Sequence, residues 1–132
     1  MFLDTNVIIN LVRDPTRVAA SGLKRLYDPD EYRCTSLVTF WEIAIKHRKG
    51  KLPMPAPFPD APEEAFRAWC DRAVIDILPI SPRHIALAMR LDFGCEDPFD
   101  RLIAATAIAE GQELVTSDAV FTRCAGLRVL HV

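Results

Sequence analysis

Four carboxylates, far apart in the chain, carry the first indication of chemistry. Asp4 follows the apolar opening Met1-Phe2-Leu3, and Asp118 follows Leu114-Val115-Thr116-Ser117. Asp100 stands three residues past Asp97, and Glu42 has Val38, Trp41 and Ile45 as helical neighbours. An acid on an apolar helix stripe is costly unless it is paired or bound to a cation. If the four meet, they repel one another unless something positive lies between them. Oxygen ligands select hard dications, Mg2+ or Mn2+. Zinc would want His or Cys, but His47, His84 and His131 show no ligand spacing and are expected as surface or half-buried polar groups. Mg2+ works on phosphates and acidifies a bound water, so phosphodiester hydrolysis is the reaction implied. Each acid also has an ordinary reading. Asp4 is a cap for the helix from Thr5, Asp100 complements a helix dipole, Asp118 is a turn or cap residue, and Glu42 pairs with Lys46 at i,i+4.

A basic run, Lys46-His47-Arg48-Lys49-Gly50-Lys51, follows Glu42 directly. Lys46, Arg48 and Lys49 are candidates to grip a phosphate backbone beside the acids; the plainer alternative is a solvated helix end whose cations suit the C-terminal dipole. Arg13, Arg17, Lys24 and Arg25 form a looser second group. Phe40, Trp41, Phe66 and Trp69 are expected to pack a core or an interface rather than stack on bases. The net charge of -2 excludes a wholesale basic coat, but not a local patch.

These residues need elements to position them. Met1 to Asp4, Tyr32 to Thr35, Val74 to Ile80, Glu113 to Thr116 and Arg128 to Val132 read as strands. Helices are expected over Val7 to Val12, Val18 to Tyr27, Leu37 to Lys49, Glu63 to Ala73, Pro82 to Leu91 and Phe99 to Glu110. Ser36, Ser81-Pro82 and Asp97-Pro98 supply start signals, and Gly50 and Gly111 supply stops. Asp118 to Thr122 reads as a helical turn. Lys51 to Pro62 holds five prolines and is expected as an extended surface arm inside the domain. Strands alternating with helices of this length imply crossovers, hence a mostly parallel sheet with helices on both faces. Ligands of such sheets bind at the carboxyl ends of the strands, where strand order reverses. Asp4 and Asp118 belong to that rim.

The 132 residues suit a single domain, with half of them hydrophobic and 26% charged, which is globular composition. No apolar run approaches the ~20 residues needed to cross a bilayer. The acid at position 4 argues against a secretory signal, so the expected location is the cytoplasm. Cys34, Cys70, Cys95 and Cys124 include no close pair, and are expected as reduced, mostly buried thiols.

Taken in order, Leu3-Asp4-Thr5-Asn6, Phe40-Trp41-Glu42-Ile43-Ala44-Ile45-Lys46, Asp97-Pro98-Phe99-Asp100-Arg101-Leu102-Ile103-Ala104 and Val115-Thr116-Ser117-Asp118 resemble PIN-domain proteins. Within that family the resemblance is to VapC toxins of type II toxin–antitoxin pairs, and it spans nearly all of residues 1–132. It implies a PIN-like three-layer α/β/α domain and a Mg2+- or Mn2+-dependent endoribonuclease. It implies Asp4, Glu42, Asp100 and Asp118 as catalytic metal ligands or their supports. Asn6 and Thr116 match neighbouring polar positions, and Asp97 either caps its helix, the favoured reading, or reaches the metal. The implied partners are RNA, a VapB-like antitoxin and a second copy of the chain. Gly94-Cys95-Glu96 departs from the family pattern, which often carries histidine or a basic residue there. Two rival readings are a phosphatase with an aspartyl nucleophile, which Asn6 disfavours by standing where a second acid is wanted, and a module that binds RNA or protein without cutting.

Overall fold

A computed structural model describes residues 1–132. In chain order the elements are β1 (Phe2–Leu3), α1 (Thr5–Arg13), α2 (Ala20–Leu26), β2 (Cys34–Ser36), α3 (Leu37–Arg48) and α4 (Pro62–Arg72). There follow β3 (Asp76–Leu78), α5 (Pro82–Arg90), α6 (Pro98–Ala109), β4 (Leu114–Thr116) and β5 (Val129–His131). Short 3-10 turns occupy Pro15–Arg17 and Ala119–Arg123.

The strands form one sheet in the order β3-β2-β1-β4-β5, and all neighbours pair parallel. Each crossover carries helix or turn, as parallel pairing demands. The chain thus builds outward from β1 in one direction through β2 and β3, and in the other through β4 and β5. The reversal falls between β1 and β4, which opens a crevice at their carboxyl ends.

Alternation along the strands separates two cores. Leu3 and Val115 join Val7, Ile43 and Phe66 on one face, whereas Phe2 and Leu114 join Val38, Ile103 and Phe121 on the other. The result is the three-layer arrangement of a parallel sheet covered on both faces.

The start signals are realised. Asp4, Ser36, Ser81, Asp97 and Asp118 each accept a backbone N–H at the head of the following helix or turn. Gly111 closes α6 with φ of 65°, a conformation that suits glycine. No helix is long and apolar enough to cross a membrane. The four cysteines are buried and unpaired.

Three expectations are corrected. The proline-rich arm is not merely a surface feature, because it drives Met54 and Phe58 into the core, with Phe58 stacked on Trp69 at 5.4 Å between ring centroids. Proline fixes the arm's path, and the apolar residues between the prolines do the packing. The helix expected over Val18 to Tyr27 spans only Ala20–Leu26, and Tyr27 is exposed beyond its last turn. His84, expected as a surface or half-buried polar group, is buried: its Nδ1 accepts from the Ser81 N–H and its Nε2 lies 2.8 Å from Glu110 Oε1.

Candidate active site

Asp4 leaves β1 and caps α1 in the same step. Its N–H still bonds to Val115 O at 3.1 Å, while its Oδ1 accepts from the Thr5 N–H at 2.6 Å. Its Oδ2 accepts from the Thr116 hydroxyl at 2.6 Å, which places the carboxylate beside the end of β4. Thr116 is a hub. The same hydroxyl oxygen accepts from Asn6 Nδ2 (3.3 Å) and from the Asp118 N–H (3.0 Å). Asn6 Oδ1 accepts in turn from the Ser117 N–H at 3.4 Å. Parallel pairing of β1 with β4 brings acids 114 residues apart to one rim, and Asn6 and Thr116 tie the two strand ends together there.

Glu42 arrives from α3. It is 5% exposed, and its Oε1 is paired with Lys46 Nζ one turn on. The i,i+4 pairing expected of an ordinary helix acid is therefore present. It satisfies only one oxygen. Glu42 Oε2 is the sole buried side-chain nitrogen or oxygen in the molecule without a hydrogen-bond partner. Such an orphan costs on the order of 1–3 kcal/mol unless a ligand or water meets it.

Asp97 caps α6, as favoured from the sequence, by accepting from the Phe99 and Asp100 N–H groups. Asp100, one helical turn in, accepts from Cys95 Sγ at 3.4 Å through its Oδ2. Asp118 caps the following 3-10 turn by accepting from the Val120 N–H at 2.9 Å.

Asp4, Asn6, Glu42, Lys46, Asp97, Asp100 and Asp118 line a single cavity of about 280 Å³, with Thr5 and Ile9. Its five carboxylates meet one cation. Burial pushes Asp4 up to about 7, and the charges of Asp100 and Glu42 add to this against the opposing bonds from Thr116 and Thr5. Burial, then the Asp97 charge, carries Asp100 up to about 6, with Glu42 and Asp118 adding to it. Lys46 is raised: partial burial pulls it down, but the Glu42 bond and charge, with Asp97 and Asp100, more than reverse this.

As placed, no three His, Cys, Asp or Glu side chains converge closely enough to form a closed metal-ligand set. The donor chemistry nonetheless fits a hard dication. The facing donors are oxygens, one buried carboxylate oxygen is unpartnered, and the cavity has room for waters. Mg2+ keeps several waters and needs only one or two direct carboxylates. Asp4, Asp100, Glu42 and Asp118 are the side chains available to hold it.

Arg48 and Lys49 lie outside this cavity on the exposed end of α3, so of the basic run only Lys46 reaches it. Sequence reasoning missed a buried threonine chain beneath the site. Thr5 and Thr39 hydroxyls lie 3.4 Å apart, Thr35 lies 3.1 Å from Thr39, and Thr35 lies 3.0 Å from Leu3 O. A run of threonines at strand ends and first helical turns was the available signal. It also missed Arg101, whose guanidinium donates to the carbonyls of Ala88, Leu91 and Cys95. A second cavity, about 330 Å³ and largely apolar, is lined by Ile8, Leu11, Val12, Leu26, Trp69 and Ile75 among others. No acid lines it, so it offers a binding surface and no hydrolytic chemistry.

A family model described as PIN domain matches residues 1–127. No curated protein matches in sequence at a significant level. Among solved structures, VapBC2 from Rickettsia felis bound to a DNA fragment from their promoter is similar with a TM-score of 0.70 and 20% identity, covering 98% of this chain and 96% of that one. VapBC-1 from nontypeable Haemophilus influenzae gives a TM-score of 0.70 at 19% identity, with 98% and 96% covered. A toxin–antitoxin complex from Klebsiella pneumoniae gives 0.58 at 22% identity, with 98% and 94% covered.

Proposed function

The chain belongs to the PIN-domain family, and from that premise we propose that it is a Mg2+- or Mn2+-dependent endoribonuclease, a VapC-type toxin whose domain spans residues 1–132. The observation that carries the reading is the acidic cavity at the β1/β4 switch point, with Glu42 Oε2 buried and unpartnered in its wall. When bound, the ion polarises a phosphoryl oxygen and makes a water more acidic. Asp4 and Asp100 hold the ion most directly, and Asp118 supports them. Each Asp4 oxygen keeps a second lone pair beyond its bond to Thr5 or Thr116, so the pre-set orientation does not use up the ligand. Asn6 and Thr116 fix that orientation, and Asp97 sets the helix that carries Asp100. Glu42 Oε2, free of any donor, takes the proton of the attacking water. Lys46 turns from Glu42 to a phosphate oxygen when RNA is bound, and Arg48 and Lys49 hold the backbone farther along.

The partners follow from the same family. A VapB-like antitoxin neutralises the chain by laying a segment over the acidic cavity, and the open apolar groove gives such a segment a surface to bury. A second copy packs on Trp41 and Leu37 of α3 and Met89 and Ile85 of α5, all exposed apolar side chains that a monomer leaves in water. The cytoplasm is where RNA and four unpaired thiols belong together.

Purified chain incubated with tRNA, rRNA and mRNA pools is expected to give discrete fragments with Mg2+ or Mn2+ and none with chelator. Undiminished cleavage by Asp4→Asn or Asp100→Asn would overturn the assignment. The second reading is a module that binds RNA or protein without cutting. Binding without metal-dependent products would establish it.

A further inference from the structure

The loop between α5 and α6 is held in place by a single arginine. Arg101 fixes the loop backbone: Nη1 donates to Cys95 O at 3.0 Å, and Nη2 to Ala88 O at 2.8 Å and Leu91 O at 2.6 Å. So held, Cys95 turns inward, 8% exposed, into the apolar cluster with Phe93, Ile103 and Phe121. Its Sγ reaches Asp100 Oδ2 at 3.4 Å and is the only side chain bonded to that carboxylate. A thiol carries one proton, so it engages one oxygen and leaves Asp100 Oδ1 without a partner. Glu42, which lines the same cavity, likewise has a carboxylate oxygen without a partner, Oε2.

We propose that Cys95 is a positioning residue for Asp100: its thiol, anchored through Arg101, holds the carboxylate in the orientation that offers the free oxygen to the cavity. The inference rests on the reading of Asp100 as a metal ligand. It assigns to this chain's own sequence a task that outer-shell hydrogen bonds perform at metal sites generally, where their loss weakens affinity by roughly 10- to 100-fold. A thiol is a weak donor, which places the expected loss at about tenfold.

The test is Mn2+ affinity of the purified chain, read from free Mn2+ by electron paramagnetic resonance, beside thermal unfolding of the same samples. Cys95→Val keeps the apolar packing and removes the donor; Cys95→Ser keeps a donor and puts a hydroxyl in an apolar cluster. The expected result is a crossed order. Valine binds Mn2+ about tenfold more weakly at near-native Tm, and serine recovers most of the affinity at lower Tm. Wild-type affinity in Cys95→Val, or affinities that merely follow Tm, would overturn the proposal while leaving the site intact. Failure of the wild type to bind Mn2+, or undiminished binding by Asp100→Asn, would instead overturn the reading of Asp100 and the inference with it.

Discussion

At the amino ends of the strands, Arg25 bridges Glu31 and Glu113 at 2.9 Å each, and His84 meets Glu110 at 2.8 Å. At the carboxyl ends, Asp4, Glu42, Asp97, Asp100 and Asp118 line one cavity with Lys46 as the sole cation. Both ends are built from the same parallel strands, so the difference is one of residue choice. The amino end leaves no charge needing a ligand, and its exposed pairs add little stability. The carboxyl end gives up stability by keeping acids close and partly dry. An electrostatic deficit confined to one rim of an otherwise well-satisfied fold is the feature on which the proposed function rests.

Perturbing each end should expose the asymmetry. The largest effect is expected from Asp100→Asn, which should lower metal-dependent RNA cleavage about 10³-fold, measured as initial rate, with no fall in apo-protein Tm. Next is pH. The folded-state value of Asp4 lies above its ordinary 3.8, at about 7, so its folded form holds the proton longer than its unfolded form. Its contribution is fully favourable below the ordinary value and declines as pH rises through that window, by up to about 4 kcal/mol. Denaturant unfolding across the window should show this slope in the wild type and a shallower one in Asp4→Asn, where Asp100, raised to about 6, still titrates. At the amino end, His84→Ala removes a capping partner and the Glu110 contact, and should cost about 1–2 kcal/mol in denaturant unfolding without changing the metal requirement of cleavage. The smallest effect belongs to Arg25→Met. It should change stability by less than about 1 kcal/mol, since the arginine side chain is 41% exposed, and leave cleavage rates alone.

Much of this contrast was legible in the sequence. The alternation of apolar strands with capped helices implies the parallel sheet, and the rule for strand ends then picks out Asp4 and Asp118. Glu42 stood out because its helix neighbours are apolar. Asp97 read correctly as a cap because Asp-Pro has a local meaning. What stayed hidden depends on contacts between remote segments. Nothing local distinguishes Thr116 as a hub from any strand threonine, or Cys95 from a buried thiol with no task. Nor could the proline count show that Phe58 would be carried into the core, since proline fixes the chain's path but not what lies beneath it. The basic run divided for the same reason: helix geometry turns Lys46 toward Glu42 and leaves Arg48 and Lys49 at the exposed end.

The deficit at the carboxyl rim is tested most directly by thermal unfolding of the wild type and Asp4→Asn above pH of about 7, where the Asp4 carboxylate is ionised, with chelator and with increasing Mg2+. A ligand that binds only the folded state raises Tm saturably. The expected result is such a rise in the wild type and its near absence in Asp4→Asn, whose Tm in chelator should already exceed that of the wild type. A wild-type Tm indifferent to Mg2+, or an equal rise in both proteins, would contradict the account.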